Sequence, residues 1–363
     1  MTGNDRHAQF RAQFPVLASV AYLNAGTNGP IARSATAAAR AQLELEETAG
    51  RGGMEFFLAM GERSEALRAG YAGRLGAAPD DVALTTSTTE GVGRALQALD
   101  LGRGDEVLTS DEEHPGVYGP LVGLARARGV EVRTAPFAAI ADAVTPRTKL
   151  VVCSHVSWRS GACAPAALAA IEPPLLLDGA QGVGAVPVDV RALGAAFYAG
   201  AGQKWLCGPA GTGMLYVAPE LRERIAPPSP GYTNLADPNS GLDATPLADA
   251  RAYDTPALPV ASLAHAQAML DLFEETGWDE LHAHAHDLAE RAADALRERG
   301  REVLARDRTT LVAWHEPDAA DVSERLGAGG VVIRPLPNED LLRASFGSWS
   351  SEQDLARLLE ALP

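Results

Sequence analysis

Between about Ser64 and Gly211 the chain alternates strand-like and helix-like segments, and this alternation constrains its fold more than any other feature. The strand candidates are DVALTTS, DEVLTS, VEVRTAP, KLVVCSHVS, PLLLDGAQ, AAFYAGAGQK and GTGMLYV. Helical spacing appears in SEALRAGYAGRLGA, TEGVGRALQALDLG, GPLVGLARARG and PAALAAIEPP. Several of the strands are apolar without interruption. A strand buried on both faces reads this way, so the pattern predicts an α/β sheet, mostly parallel and covered by helices on both sides.

A Pro-, Gly- and Asn-rich stretch over residues 226–246 breaks the alternation. Two long helical patterns follow, then short strands in TTLVAWH, GVVIRP and DLLRASFG, and a last helix in SEQDLARLLEAL. The expected organisation is a large domain over 18–250 and a smaller α+β domain over 251–363, with residues 1–17 docking on the smaller one.

Composition removes whole classes of function. A net charge of -16 speaks against nucleic acid, whose phosphates require a basic face. No apolar run approaches the roughly 20 residues of a membrane span. The N-terminus lacks a signal-peptide core, and the three cysteines show no framework of spacings, so reduced thiols and a cytoplasmic setting are expected.

Only two of the 31 basic Lys and Arg residues are lysines. Lys149 lies in a polar turn, TPRTKL, where a solvated lysine is unremarked. Lys204 lies in AGAGQKWLCGPAGTG, beside a strand end and among glycines. Arginine stays protonated and forms no imine, whereas a partly buried lysine can shed its proton. A chain that writes Arg nearly everywhere and Lys here is consistent with a need for an amine.

Asp178 follows three leucines at the C-terminal end of a buried strand, the end that faces the ligand crevice of a doubly wound sheet. Taken alone it is equally a turn or capping aspartate. The glycines of LLLDGAQGVGAVPVDV imitate a dinucleotide loop only loosely, because an extended segment and not a helix follows them. In TTSTTEGVG, hydroxyls and free N–H groups meet at a helix start, which suits an anion. An anion cup, a carboxylate at a strand end and a lone amine together match pyridoxal 5'-phosphate. Its phosphate, ring nitrogen and aldehyde need one of these each.

With these motifs in order, from YLNAGTNGP (Tyr22 to Pro30) to LRASFG (Leu342 to Gly347), the sequence resembles the fold-type I, pyridoxal-phosphate enzymes of the class V aminotransferase group. The resemblance is to the branch of cysteine desulfurases, selenocysteine lyases, isopenicillin N epimerase and ergothioneine-pathway C–S lyases. It implies that Lys204 is the Schiff-base lysine and the acid/base at the substrate Cα, and that Asp178 pairs with the ring nitrogen. Gln181 would reach the ring hydroxyl and His114 would stack on the ring. Thr88 and Thr89 would hold the phosphate, with Gln203 where desulfurases usually have histidine. Thr255 would reach the phosphate of a neighbouring subunit in a homodimer. Arg343 would fork onto the substrate carboxylate, with Asn24 near the substrate.

The departures matter as much. AGQK stands where relatives read SGHK, so Ala201 lacks a phosphate hydroxyl, and Trp158 stands where many desulfurases have Asn. Desulfurases carry a nucleophilic Cys on a loop before the carboxylate-binding Arg, and GVVIRPLPNEDLLRASFG contains none. Cys207 is expected to pack its loop. His282, His284 and His286 alternate on a helix and are expected on a solvated face, with no metal site. The expected reaction is β-elimination, as in a C–S lyase. Transamination and epimerisation stay open, and a catalytically silent binding protein is the rival of a different class.

Overall fold

The computed structural model describes residues 3–362; the first two residues of the N-terminal segment 1–17, and Pro363, lie outside them. Seven strands make one sheet: β1 (Val82–Thr85), β2 (Glu106–Ser110), β3 (Glu131–Ala135), β4 (Thr148–Ser154), β5 (Leu175–Asp178), β6 (Phe197–Ala201) and β7 (Gly213–Val217). Their order across the sheet is β1-β7-β6-β5-β4-β2-β3. Strand β7 runs antiparallel to both neighbours, and every other pair is parallel. The expected mostly parallel seven-stranded sheet is therefore present.

Alternation along the strands shows why these segments are extended. Val151, Cys153, Leu175, Leu177 and Tyr198 enter one apolar cluster, while Leu150, Val152, Leu176, Phe197 and Ala199 enter another on the opposite face. Side chains with period two and apolar character on both phases can be satisfied only by a layer on each side. On one face these layers are helices α3 (Met54–Leu75) and α6 (Val260–Thr276), which supply Leu67, Tyr71, Met269 and Phe273. On the other they are α4 (Thr88–Ala98) and α5 (Pro115–Arg128), which supply Val92, Leu96, Val117 and Leu121. Helices α1 (Gly3–Ala12) and α2 (Arg33–Ala49) precede α3 in the chain, and α2 packs along α6.

A third cluster forms the smaller unit. It gathers the second half of α7 (Trp278–Glu298), β8 (Leu311–His315), α8 (Ala319–Ala328), β10 (Leu341–Ser345) and α9 (Glu352–Ala361) around Trp314 and Phe346. A short strand, β9 (Arg334–Pro335), pairs with β10, which pairs with β8. Ala21 and Leu23 also belong to this cluster, and Ala21–Tyr22 pairs with Val331–Val332. In the N-terminal segment, Phe10, Phe14 and Leu17 join the first cluster, while Arg11 forks onto Asp354 of α9 at 2.7 and 3.1 Å.

Three local expectations need correction. PAALAAIEPP contains only a 3₁₀ segment, Ala166–Ala170, because Pro165 and the Pro173–Pro174 pair confine it to little more than a turn. Helix α2 went unread in the sequence; most of its length is exposed, and its buried residues are Ala35 and Gln42. His282 and His286 are buried rather than solvated, and the His286 Nε2 lies 2.9 Å from the Ala185 carbonyl. They sit on the side of α7 that docks onto the large layer. No helix among the described residues is long and apolar enough to cross a membrane.

Candidate active site

The parallel strands deliver their C-terminal ends to one edge of the sheet, and seven of the ten expected site residues lie at or just past those ends. Strand β1 leads to Thr88 and Thr89, β2 to His114, β4 to Trp158, β5 to Asp178 and Gln181, and β6 to Gln203 and Lys204. One sheet edge thus assembles residues up to 116 positions apart in the chain.

Lys204 sits in a tight turn after β6. Gly202 N–H donates to the Thr212 carbonyl at 2.9 Å, Gly208 N–H to the Gly202 carbonyl at 2.8 Å and Cys207 N–H to the Lys204 carbonyl at 3.1 Å. From outside the turn, Gly29 N–H donates to the Gln203 carbonyl at 2.8 Å. Lys204 is half-buried. Burial lowers its ammonium pKa to about 8; Arg343 and Arg334 push the same way and Asp178 opposes them. Asp178 ends β5 almost fully buried, and its Oδ1 accepts the Ala180 N–H at 2.8 Å. Burial raises its pKa, against the pull of Lys204. The two groups feel each other's charge in a desolvated place.

His114 caps helix α5, with its Nδ1 accepting the Gly116 N–H at 3.0 Å. An accepting Nδ1 belongs to a neutral ring. Its pKa is accordingly held down at about 4 by burial first and then by Lys204, Arg334 and Arg343. The Trp158 ring meets it edge-on, with centroids 5.2 Å apart.

At the start of α4, the Ser87 hydroxyl accepts the Glu90 N–H at 3.1 Å, so the helix is capped from its own side. Helical geometry leaves the Thr88 and Thr89 N–H groups without intrahelical acceptors. The Thr88 Oγ1 is buried without a partner, and so is the Gln203 Oε1. Turning the Gln203 amide over presents its NH₂ at the same position. Gln181 is held at both ends: its Nε2 donates to the Gly26 carbonyl and its Oε1 accepts from the Trp205 indole, each at 2.9 Å. Thr255 Oγ1 donates to Glu90 at 2.6 Å, within the same chain.

Arg343 is wholly buried in β10, yet no carboxylate among the described residues pairs with it. Its Nη1 donates to the Trp158 carbonyl at 2.6 Å, while Nε and Nη2 have no partner among the described residues. Burial, then Arg334, lowers its pKa to about 9. Asn24 reaches this place indirectly. Its Oδ1 accepts from Thr27 Oγ1 at 2.8 Å, and Thr27 Oγ1 in turn accepts from Arg334 Nη1 at 3.1 Å.

Arg334 was not singled out in the sequence. It is the register partner of Arg343 across the β9–β10 pair and lies over the Trp158 ring at 5.8 Å. In GVVIRP it reads as an ordinary strand residue, and only the pairing shows it beside the buried arginine.

The unpartnered atoms test whether pyridoxal 5'-phosphate suits this edge. Thr88 Oγ1 and Gln203 lie with the first-turn amides, which suits a phosphate. A buried carboxylate suits a protonated ring nitrogen, and a lysine near neutrality suits an aldehyde. Two free nitrogens of a buried guanidinium suit a second anion, the carboxylate of an amino acid. The residues present fit the cofactor.

The class-V aminotransferase family model matches residues 21–358. Isopenicillin N epimerase of Streptomyces clavuligerus is 29% identical, over 95% of this chain and 94% of its own. Cysteine desulfurase CsdA of Escherichia coli is 28% identical, over 98% and 96%. Among solved structures, the C–S lyase C-DES superposes with a TM-score of 0.88 at 26% identity in a variant carrying glycine covalently linked to its PLP cofactor. It superposes with a TM-score of 0.89 at 25% identity in complex with its reaction product, cysteine persulfide. Both matches cover 96% of this chain and 98% of the other. Fold and site together are those of a fold-type I, pyridoxal-phosphate-dependent enzyme. The chain belongs to the class-V aminotransferase family.

Proposed function

We propose that the protein is a homodimeric lyase that breaks the Cβ–S bond of a cysteine-derived amino acid by β-elimination. The state of the three thiols carries this reading. Cys153 and Cys207 are fully buried and their pKa values are raised well above the ordinary value, chiefly by burial; Cys163 is pushed up to about 11 by burial and Asp307. A thiol that attacks substrate sulfur must be an accessible thiolate. With none available, the sulfur leaves with its bonding electrons instead of being captured by the protein. The likeness to C-DES, described as a cystine C–S lyase, supports the same choice.

Bound pyridoxal phosphate supplies an electron sink for the charge that develops at Cα. The chain's own residues do the rest. Thr88, Thr89 and Gln203 hold the phosphate, Asp178 keeps a proton on the ring nitrogen, Gln181 stands at the ring hydroxyl and His114 walls one ring face. Arg343 grips the α-carboxylate with Asn24 close by, and this fixes which Cα bond lies toward Lys204. Lys204, whose ammonium pKa burial lowers to about 8, takes the Cα proton in its amine form. The Cβ–S bond then breaks with its electron pair on sulfur, and the remaining carbon skeleton takes up water and leaves as pyruvate and ammonia. Arg334, a cation without an acidic partner among the described residues, lies beside Arg343 and favours a substrate with a second anionic group.

Exposed apolar residues on α2 and α3, Leu43, Leu45, Met54, Phe57 and Leu58, support the homodimer. In the homodimer Thr255 would serve the neighbour's phosphate on releasing Glu90. The free cysteines support a cytoplasmic setting. The similarity to isopenicillin N epimerase supports a second reading, in which Lys204 returns the proton to Cα.

The deciding experiment incubates the yellow, cofactor-loaded protein with cysteine, cystine and S-substituted cysteines. Pyruvate, sulfur products, cofactor amination and substrate chirality are followed separately. Equimolar pyruvate and ammonia are expected. Inversion without pyruvate establishes the epimerase, and cofactor amination without pyruvate establishes an aminotransferase. A colourless protein that takes up no pyridoxal phosphate is a binding protein, and the enzymatic reading fails.

A further inference from the structure

We propose that Glu113 is a positioning residue, whose buried carboxyl ties the strand end beneath His114 to the strand end beside Asp178. The proposal rests on the cofactor reading above. Glu113 is 3% exposed, and no cation pairs with it among the described residues. Its Oε1 accepts from Ser110 Oγ at 2.5 Å and from the Ser154 N–H at 2.9 Å, and its Oε2 accepts from Ser154 Oγ at 2.6 Å.

The positions of the two serines give this arrangement its meaning. Ser110 is the last residue of β2 and Ser154 the last of β4. The register pairs between these strands end at Thr109 and Val152, so Ser110 lies one residue and Ser154 two residues beyond the last pair. Past that last pair the two strand ends have no register partner in each other, which leaves a gap in the pairing between them. The Glu113 carboxyl spans that gap with three hydrogen bonds. Ser154 is the register partner of Asp178, and the next N–H, of His155, donates to the Asp178 carbonyl at 2.8 Å. On the other side, His114 follows Glu113 directly and begins α5. One carboxyl therefore connects the residue that faces the ring nitrogen with the residue that walls the ring.

A buried carboxyl held by hydroxyls and an amide, with no cation beside it among the described residues, works as a fastener. A glutamine side chain in its place keeps the tie: its carbonyl still accepts the Ser154 N–H, and its NH₂ can donate to a serine hydroxyl that has turned round. An alanine cannot, and it leaves the Ser154 N–H buried and unpaired.

The test compares wild type, Glu113→Gln and Glu113→Ala, each loaded with pyridoxal phosphate. Cofactor content is read by absorbance, and the visible circular dichroism per bound cofactor reports how firmly the ring is oriented. Glu113→Gln is expected to keep both dichroism and kcat. Glu113→Ala is expected to bind cofactor but lose most of the dichroism, and to lower kcat about tenfold or more with a smaller change in KM, as for a misplaced reacting group. Should Glu113→Ala fail to fold by far-ultraviolet dichroism, the Ser110→Ala, Ser154→Ala double variant takes its place, with the same loss expected. Dichroism and kcat unchanged in the folded untied variant overturn the proposal, and so does a glutamine variant as impaired as the alanine one, which would assign the effect to charge. A wild type that takes up no cofactor fails the cofactor reading instead.

Discussion

Lys204 is useful because it is close to losing its proton. Burial, with Arg343 and Arg334, brings it to about 8, and only the neutral amine attacks an aldehyde. Incorporation of pyridoxal phosphate into the apoprotein should therefore speed up as pH rises through about 8 and level off above it. Stopped-flow absorbance would show this, and an inflection near the ordinary lysine value would contradict the burial argument. Glu113 gives a second, independent pH signature. Burial pushes its pKa up to about 7, against the hydrogen bonds of Ser110 and Ser154, with Asp178 adding a little. The folded state then holds a proton that the unfolded chain releases above its ordinary value near 4.5. Stability from this group is full below that value and is lost as pH rises through about 7. Asp178, Cys153 and Tyr118 interact with its charge and remain in the variant. The apoprotein melting temperature of wild type should fall between about pH 4.5 and 7 relative to Glu113→Gln. Parallel melting curves would show that Glu113 is not titrating there.

Segments of chain, and not single side chains, set the shape of the lysine turn. Residues 24–30 cross from the smaller unit to the large sheet. Ser345 N–H donates to the Leu23 carbonyl at 2.8 Å, and Gly29 N–H to the Gln203 carbonyl at the same distance. A methyl group on Gly29 would lie 2.3 Å from the Lys204 carbonyl oxygen and 2.7 Å from the Cys207 Sγ. Gly29→Ala should thus displace the turn and weaken cofactor binding tenfold or more at roughly 1.4 kcal/mol per decade, while leaving the far-ultraviolet spectrum intact. Cofactor titration at wild-type affinity would show that the turn tolerates the contact. The elements themselves were largely legible. Strands of both-face apolar character and helices closed by Gly76 and Gly129, both with positive φ, announce themselves locally. Helix α2 and the 3₁₀ segment after Pro165 did not. Prolines on both sides confine the second, and the first packs along α6.

At the scale of the whole molecule, the exposed leucines, Met54 and Phe57 of α2 and α3 ask for a partner surface. Light scattering should give twice the chain mass. The double change Phe57→Glu, Leu58→Glu should yield a monomer with impaired cofactor retention, because like charges on an apolar interface oppose closure. A fully active monomeric wild type would remove the second subunit from the site, and Thr255 would then serve only Glu90.

The sequence by itself determined the α/β layering, the lone amine at a strand end, the acid at another and the helix-start hydroxyls. These follow from periodicity and residue chemistry, which are local. The tertiary structure alone decided the rest. It set Arg334 beside Arg343, left two Arg343 nitrogens, Thr88 Oγ1 and Gln203 Oε1 without partners among the described residues, drew the Cys153 and Cys207 thiols away from water and laid Glu113 across the gap between β2 and β4. Those facts depend on which distant segments share a face and on how far each group is drawn from water, and no window along the chain contains them.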